Sequence, residues 1–196
     1  MYNQFPNRKV SLCLGICLSL WVVLVSIAAQ SGFLSRLELS VTALIVVSTI
    51  VLPTLLYFRS SALQAWFRYV GQRRIVAFHM WRIPAALLFF YFGFRGELPG
   101  VFWILAGVGD FIAGAHAMFM TAKKHRTPKD YRRFHFVGFA DFVVAVGTGV
   151  TYTLLLQDPR MVVITVLPMA LIPFFGVGIS GASHLISLDI LKQPKE

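Results

Sequence analysis

The chain has 196 residues and a formal net charge of +10; hydrophobic residues make up 57% of it and charged residues 13%. With its 15 glycines the apolar share reaches about 65%, against roughly 45–50% in soluble domains. This excludes a water-soluble enzyme, which needs a polar exterior, and a disordered chain, which needs low hydrophobicity. The expectation is a single integral membrane domain, 1–196.

A membrane-crossing helix needs about 20 predominantly apolar residues. Six such runs occur, at roughly 10–30, 40–58, 75–94, 100–121, 135–156 and 161–189. The first carries Cys13 and Cys17, expected as small core residues, since neither a CxxC pair nor a disulfide framework is present. Its flanks, Asn7-Arg8-Lys9 and Ser26-Ile27-Ala28, also resemble a secretory signal with a cleavage site, but the run is longer than the usual roughly 7–15 residues. The second run has no ionisable residue. The third holds His79, Arg82 and Pro84, and the tight turn Pro99-Gly100 follows it. The fourth holds Asp110 and His116. The fifth holds Asp141, with His135 at its inner edge, and ends at Asp158-Pro159. The sixth holds Pro168, Pro173 and His184. Prolines inside a span bend helices and free carbonyls.

Lysine and arginine bias gives an orientation. With the N-terminus inside, fourteen of the eighteen basic residues fall in inner segments: Arg8, Lys9, Arg59, Arg68, Arg73, Arg74, Lys123, Lys124, Arg126, Lys129, Arg132, Arg133, Lys192 and Lys195. Only Arg36, Arg95 and Arg160 fall outside, and Arg82 lies within a span. The expected fold is therefore an all-α bundle of six transmembrane helices with both termini cytoplasmic. The basic stretch Lys123–Arg133 reads as a positive-inside loop beside anionic lipid headgroups, not as a nucleic-acid surface.

An ionisable group inside a span costs roughly 2.5–3.5 kcal/mol on insertion scales, so each one is a functional candidate. At a rise of 1.5 Å per residue, His79, Arg82, His116, Asp141 and His184 lie roughly 6–10 Å from the inner ends of their spans, and Asp110 roughly 16 Å. His79 and Arg82, three apart, share a helix face. Asp141, Ala145, Thr148 and Tyr152 form one stripe, and Ser180, His184 and Ser187 another. His116 is about 120° around its helix from Asp110. Small residues flank these groups: Gly107, Gly109 and Gly114 around Asp110, Gly138 and Ala140 beside Asp141, and Gly176, Gly178 and Gly181 before His184. Close helix packing is the simpler reading of them, and a slot for a flat cofactor the other.

Three readings of this layer follow. In the first, it binds a cofactor. A haem b would be ligated by His116 and His184, with Arg82 on an anionic group such as a propionate. A transition metal would instead be held by His79, His116, His184 and Asp141, with redox chemistry in prospect. In the second, Asp110 and Asp141 relay protons in a proton-coupled transporter of small solutes. Against it, the outer halves of the spans carry few polar groups, which suits a pocket opening toward the cytoplasm. In the third, Arg82 pairs with Asp141 or Asp110 and the layer is structural. The lipid bilayer is the expected partner, alongside a small molecule or a second membrane protein, and no nucleic acid.

The order His79-Met80-Trp81-Arg82-Ile83-Pro84, Gly96-Glu97-Leu98-Pro99, Gly107-Val108-Gly109-Asp110, Gly138-Phe139-Ala140-Asp141 and His184-Leu185 resembles a group of small multi-span bacterial integral membrane proteins of unknown function. The resemblance covers roughly residues 75–190. It implies a bacterial inner-membrane location and carries over no activity and no catalytic residue.

Overall fold

The computed structural model describes residues 8–192; Asn7 and Lys195, used above, lie outside them. Every regular element among the described residues is helical: α1 (Arg8–Gln30), α2 (Leu39–Arg59), α3 (Ser61–Phe78), α4 (Arg82–Phe94), α5 (Gly100–Ala122), α6 (Pro128–Val150) and α7 (Val177–Lys192). A 3₁₀ turn, His79–Trp81, joins α3 to α4. One π turn, Thr151–Leu155, prolongs α6, and another, Ile172–Gly176, leads into α7. Six helical runs are long and apolar enough to cross a membrane, in line with a multi-pass membrane protein.

The outer surface is apolar: Leu12, Phe94 and Leu155 are 64%, 79% and 78% exposed. The interior is where the polar groups lie, with His79, Arg82, Asp110, His135 and His184 all buried. A soluble protein has the reverse arrangement. α4 packs along α5, α2 along α7, and α6 against both α5 and α7, while α1 sits at the periphery. Cys13 and Cys17 are exposed on α1, which corrects the expectation that they belong to the core. The residues flanking the signal-like site instead join the bundle: Val25 and Ala29 are buried with Val46, Ala170 and Phe174.

Three boundaries differ from the sequence reading. The basic segment before the third span is helical, so that Ser61–Phe94 forms a 34-residue run. Ser60 caps it by accepting from the Leu63 amide at 3.3 Å. Gly71 breaks it with φ 75° and ψ 155°, a conformation open to glycine and strained for other residues.

The fifth helix begins at Pro128, seven residues before the expected 135. Thr127 and Asp130 form a reciprocal capping box, and Pro128 occupies the first turn, where its missing N–H is no loss. Lys129, Arg132 and Arg133 pull the hydropathy below that of a span while the helix continues. Thr127→Ala should lower stability by about 0.5–2 kcal/mol, measured by denaturant unfolding in detergent.

The sixth expected span is only partly helix. Residues Pro159–Thr165 form a 3₁₀ segment, and helix resumes at the Ile172 π turn. Prolines 168 and 173 supply no amide hydrogen, and α-helix is interrupted around them. The segment turns inward and buries Met161, Ile164, Met169 and Ala170. Pro84, expected to bend its helix, lies in the first turn of α4.

Candidate functional site

Two polar centres lie in the bundle core. The first is built around Arg82 in the opening turn of α4, which is 2% exposed. Its Nε donates to Asp110 Oδ1 on α5 at 2.6 Å. Its Nη2 donates to Asp141 Oδ2 on α6. Nη1 is buried without a hydrogen-bond partner. One guanidinium thus bridges two helices, and the two similar stretches 107–111 and 138–142 each contribute their aspartate to it. Gly109 makes this possible, because a Cβ there would land on the Asp141 carboxylate.

The second centre is a cluster of three fully buried histidines, His79, His135 and His184. His79 comes from the 3₁₀ turn, which is anchored to α7 twice. Trp81 Nε1 donates to Ser180 Oγ at 3.0 Å, and Ser183 Oγ lies 3.1 Å from His79 Nε2. His184, on α7, stacks on His79 with ring centroids 4.1 Å apart. His135, from α6, places its Nδ1 3.0 Å from His184 Nδ1 and its Nε2 3.0 Å from Gln72 Oε1. Gly138, one turn past His135, leaves room for the His184 ring, since a Cβ would sit 2.5 Å from its Cε1. Phe134, 1% exposed, closes the cluster from α6.

The hydrogen bonds set the tautomers of neutral rings. Ser183 donates its hydroxyl proton to the Ser180 carbonyl at 2.9 Å, so its oxygen accepts from His79 Nε2–H. His79 Nδ1 is therefore a bare lone pair, and it is buried without a partner. With the Gln72 amide placed so that Oε1 accepts from His135 Nε2–H, leaving its own Nε2 buried without a partner, His135 Nδ1 accepts from His184 Nδ1–H. That leaves His184 Nε2 bare, and it too is buried without a partner. Hydrogen bonding of one ring nitrogen so that the other faces a ligand is how metal-binding histidines are usually oriented.

One nitrogen from each of the three rings lies within 4.8 Å of the other two, so the cluster could hold a metal ion. Tetrahedral bonds of about 2.0–2.1 Å place ligand nitrogens about 3.3 Å apart, so binding would draw the rings closer by up to about 1.5 Å. A haem does not fit. Its plane must stand clear beyond the ligating nitrogen, whereas His184 is covered by His79 on one side and Gly138 on the other, at zero exposure.

Of the residues singled out in the sequence, His79 and His184 meet in the cluster, and Arg82, Asp110 and Asp141 meet in the ion-paired centre. His116 joins neither: it is half-buried on α5, edge-on to Phe134 at 5.1 Å. His135 takes the place expected for it. The Thr127–Asp130 capping box was the available signal, because it puts His135 two turns inside α6. Gln72 and Ser183, which orient the rings, had no sequence signal beyond polarity.

A cavity of about 80 Å³ borders Arg82 and Asp110, walled by Phe89, Phe102 and Phe142. It extends toward the N-terminal end of α5 and the C-terminal end of α6, past Ala106, Val146 and Thr153. That is the end of the bundle opposite the basic segment 123–133. The pocket expected to open toward the basic, cytoplasm-assigned side is thus corrected for this centre. Residues 159–171, folded inward, shape the cavity through Ile164 and Met169.

A multi-span helical bundle with a buried histidine cluster and a buried arginine–aspartate bridge defines a membrane protein whose core carries polar chemistry. The chain belongs to the family of the domain of unknown function DUF8737, whose model matches residues 37–192. Both centres lie within that match, and α1 lies outside it. No curated protein and no solved structure matches the chain.

Proposed function

We propose that this protein is a multi-pass bacterial inner-membrane protein that binds a transition-metal ion at His79, His135 and His184. The observation that carries the reading is the pair of buried, unpartnered imidazole lone pairs, His79 Nδ1 and His184 Nε2, beside a third ring. Leaving such acceptors empty in the core is costly, and ligation of these rings by a metal ion would supply the missing partner. An all-imidazole donor set suits zinc, copper, iron or nickel and disfavours magnesium and calcium. Ser183 would orient His79 and Gln72 would orient His135, which would exchange its bond to His184 for the metal at Nδ1, and the buried setting would exclude water. With copper or iron bound, the centre would supply redox chemistry; with zinc, Lewis acidity. Asp141, paired with Arg82, and His116, screened from the cluster by Phe134, are not part of this ligand set. The lysine and arginine bias supports a cytoplasmic side for both termini, and the apolar exterior suits contact with lipid.

The test is metal content per chain by plasma mass spectrometry, on protein purified from membranes without chelators. Near-stoichiometric metal is expected, at least tenfold lower in His79→Ala and His184→Ala and unchanged in His116→Ala. Absence of metal, together with no uptake of added zinc or copper ions, would overturn the reading.

A further inference from the structure

We propose that the Arg82–Asp110–Asp141 centre binds one proton, and that the proton exchanges with the end of the bundle opposite the basic segment 123–133 through the cavity at Asp110. The proposal is for the protein with no metal at the histidine cluster, and its test uses protein freed of metal.

The charge count comes first. Two carboxylates face one guanidinium, leaving one excess negative charge in the membrane core. Among the described residues Arg82 is the cation paired with both aspartates, while Lys129, Arg132 and Arg133 lie in the first turns of α6 and Lys192 at the end of α7. The turn before α4 brings His79, α6 brings His135 and α7 brings His184, and all three hydrogen-bond as neutral rings. α5 adds only His116, turned toward Phe134, and α2 adds no basic residue before its terminal Arg59, its Tyr57 donating to Asp189. An uncompensated buried charge is strongly disfavoured, so a positive species is required.

The cavity decides which species. A metal cation of the calcium or magnesium type needs about six or more oxygen ligands. Besides the Arg82 guanidinium, the lining offers the Asp110 carboxylate and the hydroxyls of Thr42 and Thr153 in an otherwise apolar wall. A proton needs a single oxygen. Asp110 has one oxygen on Arg82 Nε and borders the cavity, whereas Asp141 lies against Gly109 and is not part of the wall.

A route also exists. Thr42, Thr153 and Ile164 line both this cavity and a neighbouring cleft of about 170 Å³, formed by residues of the 34–37 and 157–165 segments. One water needs about 10–15 Å³ of such space, so the 80 Å³ cavity has room for several. In the exchange step, a hydronium in the cavity transfers its proton to the oxygen of Asp110 that faces it and leaves as water. Arg82 and Asp141 are left as a neutral pair, and the centre loses its excess charge. This outward half-path is the element that the proton-coupled reading of the sequence lacked.

Infrared spectroscopy of the full-length protein in liposomes tests the proposal. The expected result is a carbonyl stretch from one protonated carboxylic acid at neutral pH, shifted by carbon-13 labelling of aspartate. It should vanish in Asp110→Asn and persist in Asp141→Asn and His184→Ala. Transfer into deuterated water should shift the band rapidly in the wild type and at least tenfold more slowly in Ala145→Leu or Val146→Phe, which fill the cavity. Isotope labelling reads the wild type itself, so misfolding of a variant does not shield the proposal. No protonated aspartic acid, a band removed by Asp141→Asn alone, or equal exchange rates in properly folded cavity-filling variants would each overturn it.

Discussion

Arg82→Ala should destabilise the folded protein by about 3–5 kcal/mol, the range for removing one partner of a buried ion pair. The side chain bridges α5 and α6 from the first turn of α4. Its loss leaves the carboxyl groups of Asp110 and Asp141 in the core without their cation. The magnitude comes from the stranded charges more than from the lost bonds. Arg82→Met combined with Asp110→Asn and Asp141→Asn should therefore recover most of the loss, because no charge is left behind. Lysine should rescue poorly, since an ammonium lacks the planar fork that meets two carboxylates at once. Equilibrium unfolding in detergent micelles would check the series, and a loss below about 1 kcal/mol in Arg82→Ala would show that the bridge does not hold the helices.

Gly109→Ala should cost about 1–3 kcal/mol, the usual range for overpacking a tight interior. Its new methyl would occupy the position of Asp141 Oδ1, so the carboxylate must leave Arg82 or α5 must move away from α6. Gly147→Ala provides the contrast. A Cβ at Gly147 meets nothing within 4 Å, so the helix gains alanine's better propensity, about 1 kcal/mol at most. The two substitutions should thus shift stability in opposite directions, and a loss in both would show that helix backbone contacts, not the Asp141 contact, set the result. The same unfolding assay reads the pair.

The residues of both centres were legible in the sequence to the extent that membrane insertion penalises charge. Arg82, Asp110, Asp141, His79 and His184 stand out because the spans around them are otherwise apolar. Their partners were not legible. Depth along a helix follows from residue number, but the direction a side chain faces depends on how each helix is rotated and broken. His116 lies at the expected depth, but Phe134 stands between it and the cluster. His135 looked like a residue at a span edge because hydropathy marks where lipid contact begins, not where the helix begins. Its helix starts seven residues earlier, at a cap made of polar side chains.

The single polar layer expected from depth divides into two centres for a related reason. His79 lies on a 3₁₀ turn and Arg82 on the α-helix that follows, so the turn directs one toward α7 and the other toward α5 and α6. Three residues of separation then lead to two different sites.

Composition and hydropathy by themselves determined the class of this protein: six apolar helical runs, and ionisable groups confined to the later four. Both follow from transfer free energies, which are local and additive along the chain. Tertiary structure alone decided which histidines meet, that Arg82 serves two aspartates, and that the cavity at Asp110 opens toward the end opposite the basic segment. Those outcomes depend on contacts between helices far apart in sequence, and on where Gly71, Pro168 and Pro173 interrupt regular helix. Glycines 109 and 138 belong to both accounts: visible in the sequence as small residues, they acquire their purpose only when a carboxylate and an imidazole are brought against them.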